Sequence, residues 1–329
     1  MRYCKNLSLV WSALLLSLLT GCAERRDYQQ TLRSNFVAPS SHPQVLAAYQ
    51  PWFGDSSHVN VGYSSQDPVV LQQQIEKAKN LGISGFVVNW YGPSKEFEDH
   101  AYSLLQQAAA RSGFTCALMY DESEDASRST DDAIRDLNYA YEHYLGPNAA
   151  TKNAYLTFDG RPVIFIFPKG GKTDWQKVRA AVNNWISPPL LLYEDINPHV
   201  AGYFDGFYAW VHPGREGWSS DGSNWGRQYL ESFYSKMVSD YPGKIAVGAA
   251  WPGFDDSRAG WSRNRRMNPR CGKTFEESLR LYRRYYDDAR PLPFLLIVTW
   301  NDYEEGTAIE RGIDTCTGGQ KTSMAATQP

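Results

Sequence analysis

Phe294-Leu295-Leu296-Ile297-Val298-Thr299-Trp300-Asn301-Asp302-Tyr303-Glu304-Glu305-Gly306-Thr307 is the stretch that decides the fold. An apolar, partly β-branched run stops abruptly at an aromatic ring, an amide and the carboxylates of Asp302, Glu304 and Glu305. A strand buried on both faces reads as a continuous apolar run, and in a parallel barrel the chemistry gathers at the strands' C-terminal ends. If the chain turns helical after Trp300, Asp302 and Glu305 fall at i and i+3 on one face. Two carboxylates so placed suit acid/base work on a polar substrate. A solvated acidic turn is the alternative reading of the same residues.

Outward from this stretch, strand-like and helix-like segments alternate. Seven further strands are predicted, at Val45 to Trp52, Ile83 to Tyr91, Thr115 to Asp121, Pro162 to Pro168, Leu190 to Glu194, Phe204 to Val211 and Lys244 to Trp251. Between them lie amphipathic stretches with start and stop signals. Asp67-Pro68 opens a helix that Gly82 closes, with Leu71, Ile75, Ala78 and Leu81 on its apolar face. Further helices are predicted from Glu98 to Ser112, from a cap at Thr130 to Gly146, and over Asp174 to Trp185, Ser223 to Asp240 and Thr274 to Ala289. Strand and helix alternating through eight strands predict an α/β fold, a closed (β/α)8 TIM barrel rather than an open doubly wound sheet. Only nine residues separate Glu194 from Phe204, so the fifth helix is expected to be short or missing. Little apolar sequence follows the eighth strand, so the final helix is expected to be atypical.

The barrel domain is assigned to residues 44–312, preceded by a signal peptide (1–21) and a polar tether (22–43) and followed by a tail (313–329) expected to be disordered. Arg2 and Lys5 precede an apolar run from Leu7 to Leu19 that is too short to span a membrane. That run ends in Leu19-Thr20-Gly21-Cys22, which resembles a bacterial lipobox and implies cleavage before Cys22 and lipidation of its thiol. The expected location is the cell envelope, lipid-anchored at the outer membrane or cell surface, with the membrane as a partner through that lipid. Cys116 sits in an apolar strand and reads as a buried free thiol, whereas Cys271 and Cys316 lie in loop-like sequence and are free to pair. A net charge of -3 excludes a nucleic-acid partner of the basic-patch kind, and a monomer is expected. The six histidines and the cysteines form no metal-ligand spacing, and no glycine-rich phosphate loop follows any strand, so neither metal nor cofactor is expected.

The barrel reading is tested at the other strand ends. Eleven Trp and 21 Tyr give the chain many rings able to stack on sugar faces. Tyr49 and Trp52 close the first strand, Asn89 and Trp90 the second, and Tyr120 and Asp121 the third. Tyr193 and Glu194 close the fifth, Trp210 and His212 the sixth, Trp251 and Asp255 follow the seventh, and Trp300 and Asn301 end the eighth. These fourteen are the expected substrate-binding residues. Pairing rings with polar groups at seven ends points to a polysaccharide or oligosaccharide substrate.

Trp300-Asn301-Asp302-Tyr303-x-Glu305 resembles the Trp-Asn-Asp-Tyr-Gly-Glu motif of glycoside hydrolase family 71, the α-1,3-glucanases. Asn301-x-x-x-Glu305-Gly306-Thr307-x-Ile309-Glu310 is similar to the Asn-Glu-Trp-His-Glu-Gly-Thr-x-Ile-Glu motif of family 99, the endo-α-mannosidases. Weaker similarity runs through Tyr49-x-Pro51-Trp52, Asp159-Gly160-Arg161-Pro162-Val163 and Pro252-Gly253-Phe254-Asp255-Asp256. The resemblance implies an endo-acting glycosidase for α-linked glycans, with Asp302 and Glu305 as catalytic residues. By position Glu305 matches the general acid/base. Asp302 matches the family 99 carboxylate that takes a proton from the sugar 2-hydroxyl, but family 99 uses Glu there. The shorter Asp favours the family 71 arrangement with water as nucleophile, Asp302 being kept ionised with help from the Asn301 amide. Glu304 is expected to be a solvated side chain. The competing reading is a non-catalytic glycan-binding surface lipoprotein.

Overall fold

The computed structural model describes residues 43–122, 129–169, 172–212 and 224–316. The expected signal peptide, Cys22 and nearly all of the tether lie outside the described residues, as does the chain beyond 316. Eight parallel strands close on themselves: β1 (Gln44–Tyr49), β2 (Gly85–Trp90), β3 (Thr115–Asp121), β4 (Arg161–Phe167), β5 (Leu190–Glu194), β6 (Gly206–Tyr208), β7 (Ile245–Ala250) and β8 (Phe294–Ile297). They follow one another around the barrel in chain order, β3 joining β4 through Leu118↔Ile164 and β8 joining β1 through Leu296↔Leu46. β2 and β8 are buried along their whole length, as strands with a packed barrel interior on one face and helices on the other must be.

Among the described residues six α-helices cover the strands: α1 (Pro68–Asn80), α2 (Glu96–Ser112), α3 (Thr130–Ala140), α4 (Trp175–Val182), α5 (Arg227–Ser239) and α6 (Lys273–Leu281). Asp67 caps α1 by accepting the Val69 and Val70 N–H groups, and Leu71, Gln74, Ile75 and Ala78 form its buried stripe. α2 ends at Gly113 in the left-handed region (φ 59°), where a side chain is disfavoured. The α3 cap is Ser129, one residue before the predicted Thr130. Its hydroxyl and the Asp132 carboxylate satisfy each other's backbone N–H groups. α6 stops at Leu281 in a 3-10 turn, eight residues before the predicted Ala289, and Asp287 and Arg290 then fold back on each other. Among the described residues no helix joins β5 to β6 and none follows β8.

Where that last helix would lie, the chain instead makes turns to Cys316, which is disulfide-bonded to Cys271. Residues 313–316, assigned to the disordered tail, are thus part of the ordered body. Cys116 is a buried free thiol on β3. Among the described residues no helix is long and apolar enough to cross a membrane. Loss of the Asp67 cap should cost about 1 kcal/mol. Asp67→Ala should therefore lower Tm by about 2–4 °C in a thermal melt, without changing the cleft described next; no shift would show that α1 is held by its packed face alone.

Candidate active site

The C-terminal strand ends open into a cleft of about 890 Å³ that both Asp302 and Glu305 line. They stand on a tight turn rather than on the helix that their spacing predicted. The Thr299 hydroxyl accepts the Asp302 N–H (2.8 Å) and pairs with the Thr307 hydroxyl (2.9 Å), which pinches the turn at its base. Asp302 Oδ1 accepts the N–H groups of Glu304 (3.0 Å) and Glu305 (2.8 Å), so the carboxylate folds its own backbone around itself. Gly306 completes the turn at φ 65°, and a Cβ there would meet the Asp255 backbone at 3.1 Å. That contact is close because Asp255 N–H donates to the Glu305 carbonyl (2.8 Å).

Glu304 is not solvated. It is 2% exposed, binds His58 Nδ1 through Oε2 (2.9 Å) and accepts the Val59 N–H through Oε1 (3.2 Å). It thereby fixes the loop after β1, where the His58 ring stacks on Trp52 with centroids 4.8 Å apart. Trp261 stands edge-on to Trp52 and donates its indole N–H to Glu305 Oε1 (3.0 Å). The Asn301 amide does not reach Asp302. Its oxygen accepts the Gln50 N–H (2.7 Å) and its nitrogen donates to the Gln50 carbonyl (2.9 Å) and the Tyr63 hydroxyl (3.4 Å), which clamps the end of β1.

Electrostatically the two carboxyls form one unit. Burial, the Glu305 charge and the Glu304 charge push Asp302 well above the ordinary carboxylate range, against the opposing pull of its two backbone donors. Burial also raises Glu305, although the Trp261 donor and the charges of Arg265 and Lys169 hold it back. The pair therefore retains a proton at pH values where isolated carboxylates would have lost theirs. Across the cleft burial raises Asp121 to about 6, despite the charge of Lys169, whose Nζ lies 3.4 Å from Oδ1.

Eight of the sixteen residues named from sequence line the cleft: Trp52, Asn89, Asp121, Glu194, Trp210, His212, Asp302 and Glu305. Most of the others follow from strand alternation, since successive side chains point to opposite faces. Asn89, Asp121 and Glu194 look into the cleft, so Trp90, Tyr120 and Tyr193 next to them look toward the helices. Trp90 donates to Asp99 on α2 (2.8 Å), Tyr120 to Asp136 on α3 (3.1 Å), and Tyr193 packs against Trp175 on α4. Tyr49 likewise donates to Gln74 on α1 (2.8 Å) and Trp251 to the Trp225 carbonyl (2.9 Å). Trp300 is fully buried against Phe86, and Asp255 pairs with Arg266 away from the cleft.

Gln50, His58, Tyr91 and Phe254, which adjoin the strand ends read from sequence, also line the cleft, whereas sequence reasoning missed Phe167, Lys169, Trp261, Arg263 and Arg265. The long segment between β7 and α6, itself at the functional end of a strand, was the available signal for Trp261, Arg263 and Arg265. Among the described residues no cluster of His, Cys, Asp and Glu could hold a metal ion. Gln50 Oε1, Trp52 Nε1 and Asn89 Oδ1 are buried without a hydrogen-bond partner among the described residues. Buried polar groups are rarely left so, and here three lie in one cleft.

A sequence model of glycosyl hydrolase family 71 matches residues 58–320. The chain belongs to glycosyl hydrolase family 71. This family 71 chain is also 22% identical over 293 residues to the glycoprotein endo-alpha-1,2-mannosidase of Mus musculus, covering 83% of this chain and 60% of the mouse protein. To the glycoprotein endo-alpha-1,2-mannosidase-like protein of Homo sapiens it is 23% identical over 322 residues, covering 88% and 66%. The chain thus spans about three-fifths to two-thirds of the length of these curated relatives. The GH99 endo-alpha-mannosidase from Bacteroides thetaiotaomicron superposes with a TM-score of 0.63 at 19% identity, over 81% of this chain and 87% of that one, and it shares the barrel fold.

A raised carboxyl pKa makes folding bind a proton that the unfolded chain lacks, so its stabilising share is complete at acid pH and is lost as pH rises through the folded-state value. Asn keeps an acceptor for both backbone donors but carries no charge. Asp302→Asn should therefore leave Tm nearly unchanged near pH 4 and raise it increasingly above wild type toward pH 8. A gap that stays constant with pH would show that Asp302 is an ordinary ionised carboxylate.

Proposed function

We propose that the protein hydrolyses an internal α-glycosidic bond in a glucan- or mannan-type glycan, with Glu305 as general acid and Asp302 as the supporting carboxylate. The observation that carries this reading is the placement of Asp302 and Glu305 on one turn in a cleft with unpaired polar groups. A glycosidase needs one carboxyl protonated to release the leaving oxygen and one ionised to activate water or stabilise the oxocarbenium-like state. Two carboxyls that cannot readily ionise together meet that need with one shared proton. Burial acts most strongly on Asp302. A sugar hydroxyl donating to Asp302 would stabilise its ionised form and leave the proton on Glu305. Glu305 is also the more exposed of the two and is free of the turn's backbone donors, so it can follow the leaving oxygen. The endo mode and the α linkage draw support from the endo-mannosidase relatives, and Trp52 and Trp261 provide an aromatic wall beside the pair.

General acid assistance is worth roughly 10²- to 10⁴-fold. Glu305→Gln should lower kcat on a natural α-glycan by about that factor, keep binding, and lose far less with an activated aryl α-glycoside, whose leaving group needs little protonation. Equal losses on both substrates would move the acid role to Asp302 or Asp121. No turnover of any α-glycan by wild type, with binding intact, would favour the non-catalytic glycan-binding alternative.

We also propose that the chain is exported and anchored through Cys22, on the strength of the Leu19-Thr20-Gly21-Cys22 sequence. Cys22→Ala should shift the protein from the membrane fraction to a soluble or unprocessed form. An unchanged distribution would remove the lipid anchor from the account.

A further inference from the structure

The segment between β7 and α6 carries Arg258, Arg263, Arg265, Arg266 and Arg270 against only two acids, Asp255 and Asp256. Its short antiparallel ribbon pairs Phe254 with Met267 and Asp255 with Arg266. Inside it the fully buried Asp256 carboxylate collects the N–H groups of Arg263 (3.0 Å) and Arg265 (2.8 Å), the Arg265 Nε (2.8 Å) and the Ser262 hydroxyl (3.2 Å). The loop is therefore wound around a charge that holds its backbone in place.

The arginines have different fates. Arg265 is spent on Asp256 (2.8 Å), Arg266 on Asp255 (2.8 Å) and Arg270 on Glu277 (2.6 Å). Arg263 also lines the cleft, two residues from the exposed ring of Trp261, and its guanidinium has no carboxylate or hydrogen-bond acceptor among the described residues. Lys169 lines the same cleft, and its charge and that of Arg265 both act on the Glu305 carboxyl. Lys169, beside Asp121, and Arg265, paired with Asp256, thus share the cleft with the carboxyls Asp121, Glu194, Asp302 and Glu305, and the exposed guanidinium of Arg263 is the cation there with no carboxylate partner among the described residues. A neutral sugar offers an unpaired guanidinium no matching charge. A guanidinium fork fits a carboxylate, sulfate or phosphate ester far better than a hydroxyl.

We propose that the glycan this cleft takes carries an acidic substituent, read by the Arg263 guanidinium on the ring that stacks at Trp261. This rests on the reading of the cleft as an α-glycan site and adds the charge class of its substrate. A charge-assisted contact of this kind is worth about 10- to 100-fold in affinity.

The experiment compares size-matched α-linked oligosaccharides that are neutral or carry a uronate, a sulfate or a phosphate ester, at low and high sodium chloride. Wild type should prefer at least one acidic set by about 10-fold in kcat/KM, and the preference should shrink at high salt. Which acidic set wins identifies the anion. Arg263→Ala should lower kcat/KM on that set about 10-fold more than on the neutral set, mainly through KM, and Arg263→Lys should recover part of the difference. Wild type cleaving the neutral set as well as every acidic one, or Arg263→Ala reducing all sets equally, overturns the proposal while leaving the glycosidase reading intact. If no set is cleaved, that reading falls and calorimetry with the same oligosaccharides decides: acid-selective binding that disappears in Arg263→Ala supports the proposal, and unselective binding overturns it.

Discussion

One buried carboxylate holds together the elements that make the cleft. Glu310 accepts the hydroxyls of Tyr63 (3.0 Å) and Tyr303 (2.6 Å) and the side-chain amide of Gln74 (2.9 Å). Tyr63 belongs to the loop after β1, Gln74 to α1, and Tyr303 to the turn that carries Asp302 and Glu305. Burial and the Glu310 charge hold both phenols far above their usual range, so they remain donors at any physiological pH. Glu310 N–H in turn donates to the Trp300 carbonyl (2.9 Å), which returns the chain to the end of β8. The turn that carries Asp302 and Glu305 is thus fixed from behind by a network that never enters the cleft, and Glu305 need not serve as a structural anchor.

That division of labour explains how the site can bear its electrostatics. A buried carboxyl pair with a neighbouring glutamate is unfavourable for folding at neutral pH, as groups tuned for proton transfer commonly are. Glu304, the third acid of the cluster, is instead paired with His58, so its charge pins the Trp52 wall. Glu305 keeps a side-chain donor from Trp261, and Asp302 keeps two backbone donors. Each acid has a different partner set, and the partner set assigns each its role. Sequence proximity alone makes the three look equivalent.

The barrel was legible in the sequence because its signals are long and redundant. Apolar runs such as Phe294 to Val298 have no other use, and helix caps such as Asp67-Pro68 mark where strands give way. The positions of Asp302 and Glu305 were legible for the same reason, at the abrupt end of such a run. The strand phase was not. An aromatic and a polar residue side by side, as in Asn89-Trp90 or Tyr120-Asp121, cannot both face the cleft, and composition does not say which does. In these two pairs the polar residue turned inward and the ring went to the helix layer, where Asp99 and Asp136 were waiting as acceptors. Nor were the loop contributions legible. Trp261, Arg263 and Lys169 reach the cleft through folding around Asp256 and past β4, which no periodicity encodes.

The bond between Cys271 and Cys316 closes a covalent ring across a sequence separation of 45 that contains α6, β8 and the whole turn bearing Asp302 and Glu305. A ring of that size removes about 4 kcal/mol of chain freedom from the unfolded state in the simplest entropic treatment. Its location matters more than its size. In a regular barrel the last helix would press β8 against its neighbours, and here no such helix is present among the described residues. A covalent tie takes over the mechanical task of packing, and it joins the segment after β8 to the root of the arginine-bearing loop. Glu305 lies inside that closed circuit of chain, and the loop that bears Arg263 runs directly into it at Cys271, so the two walls meet at the covalent tie.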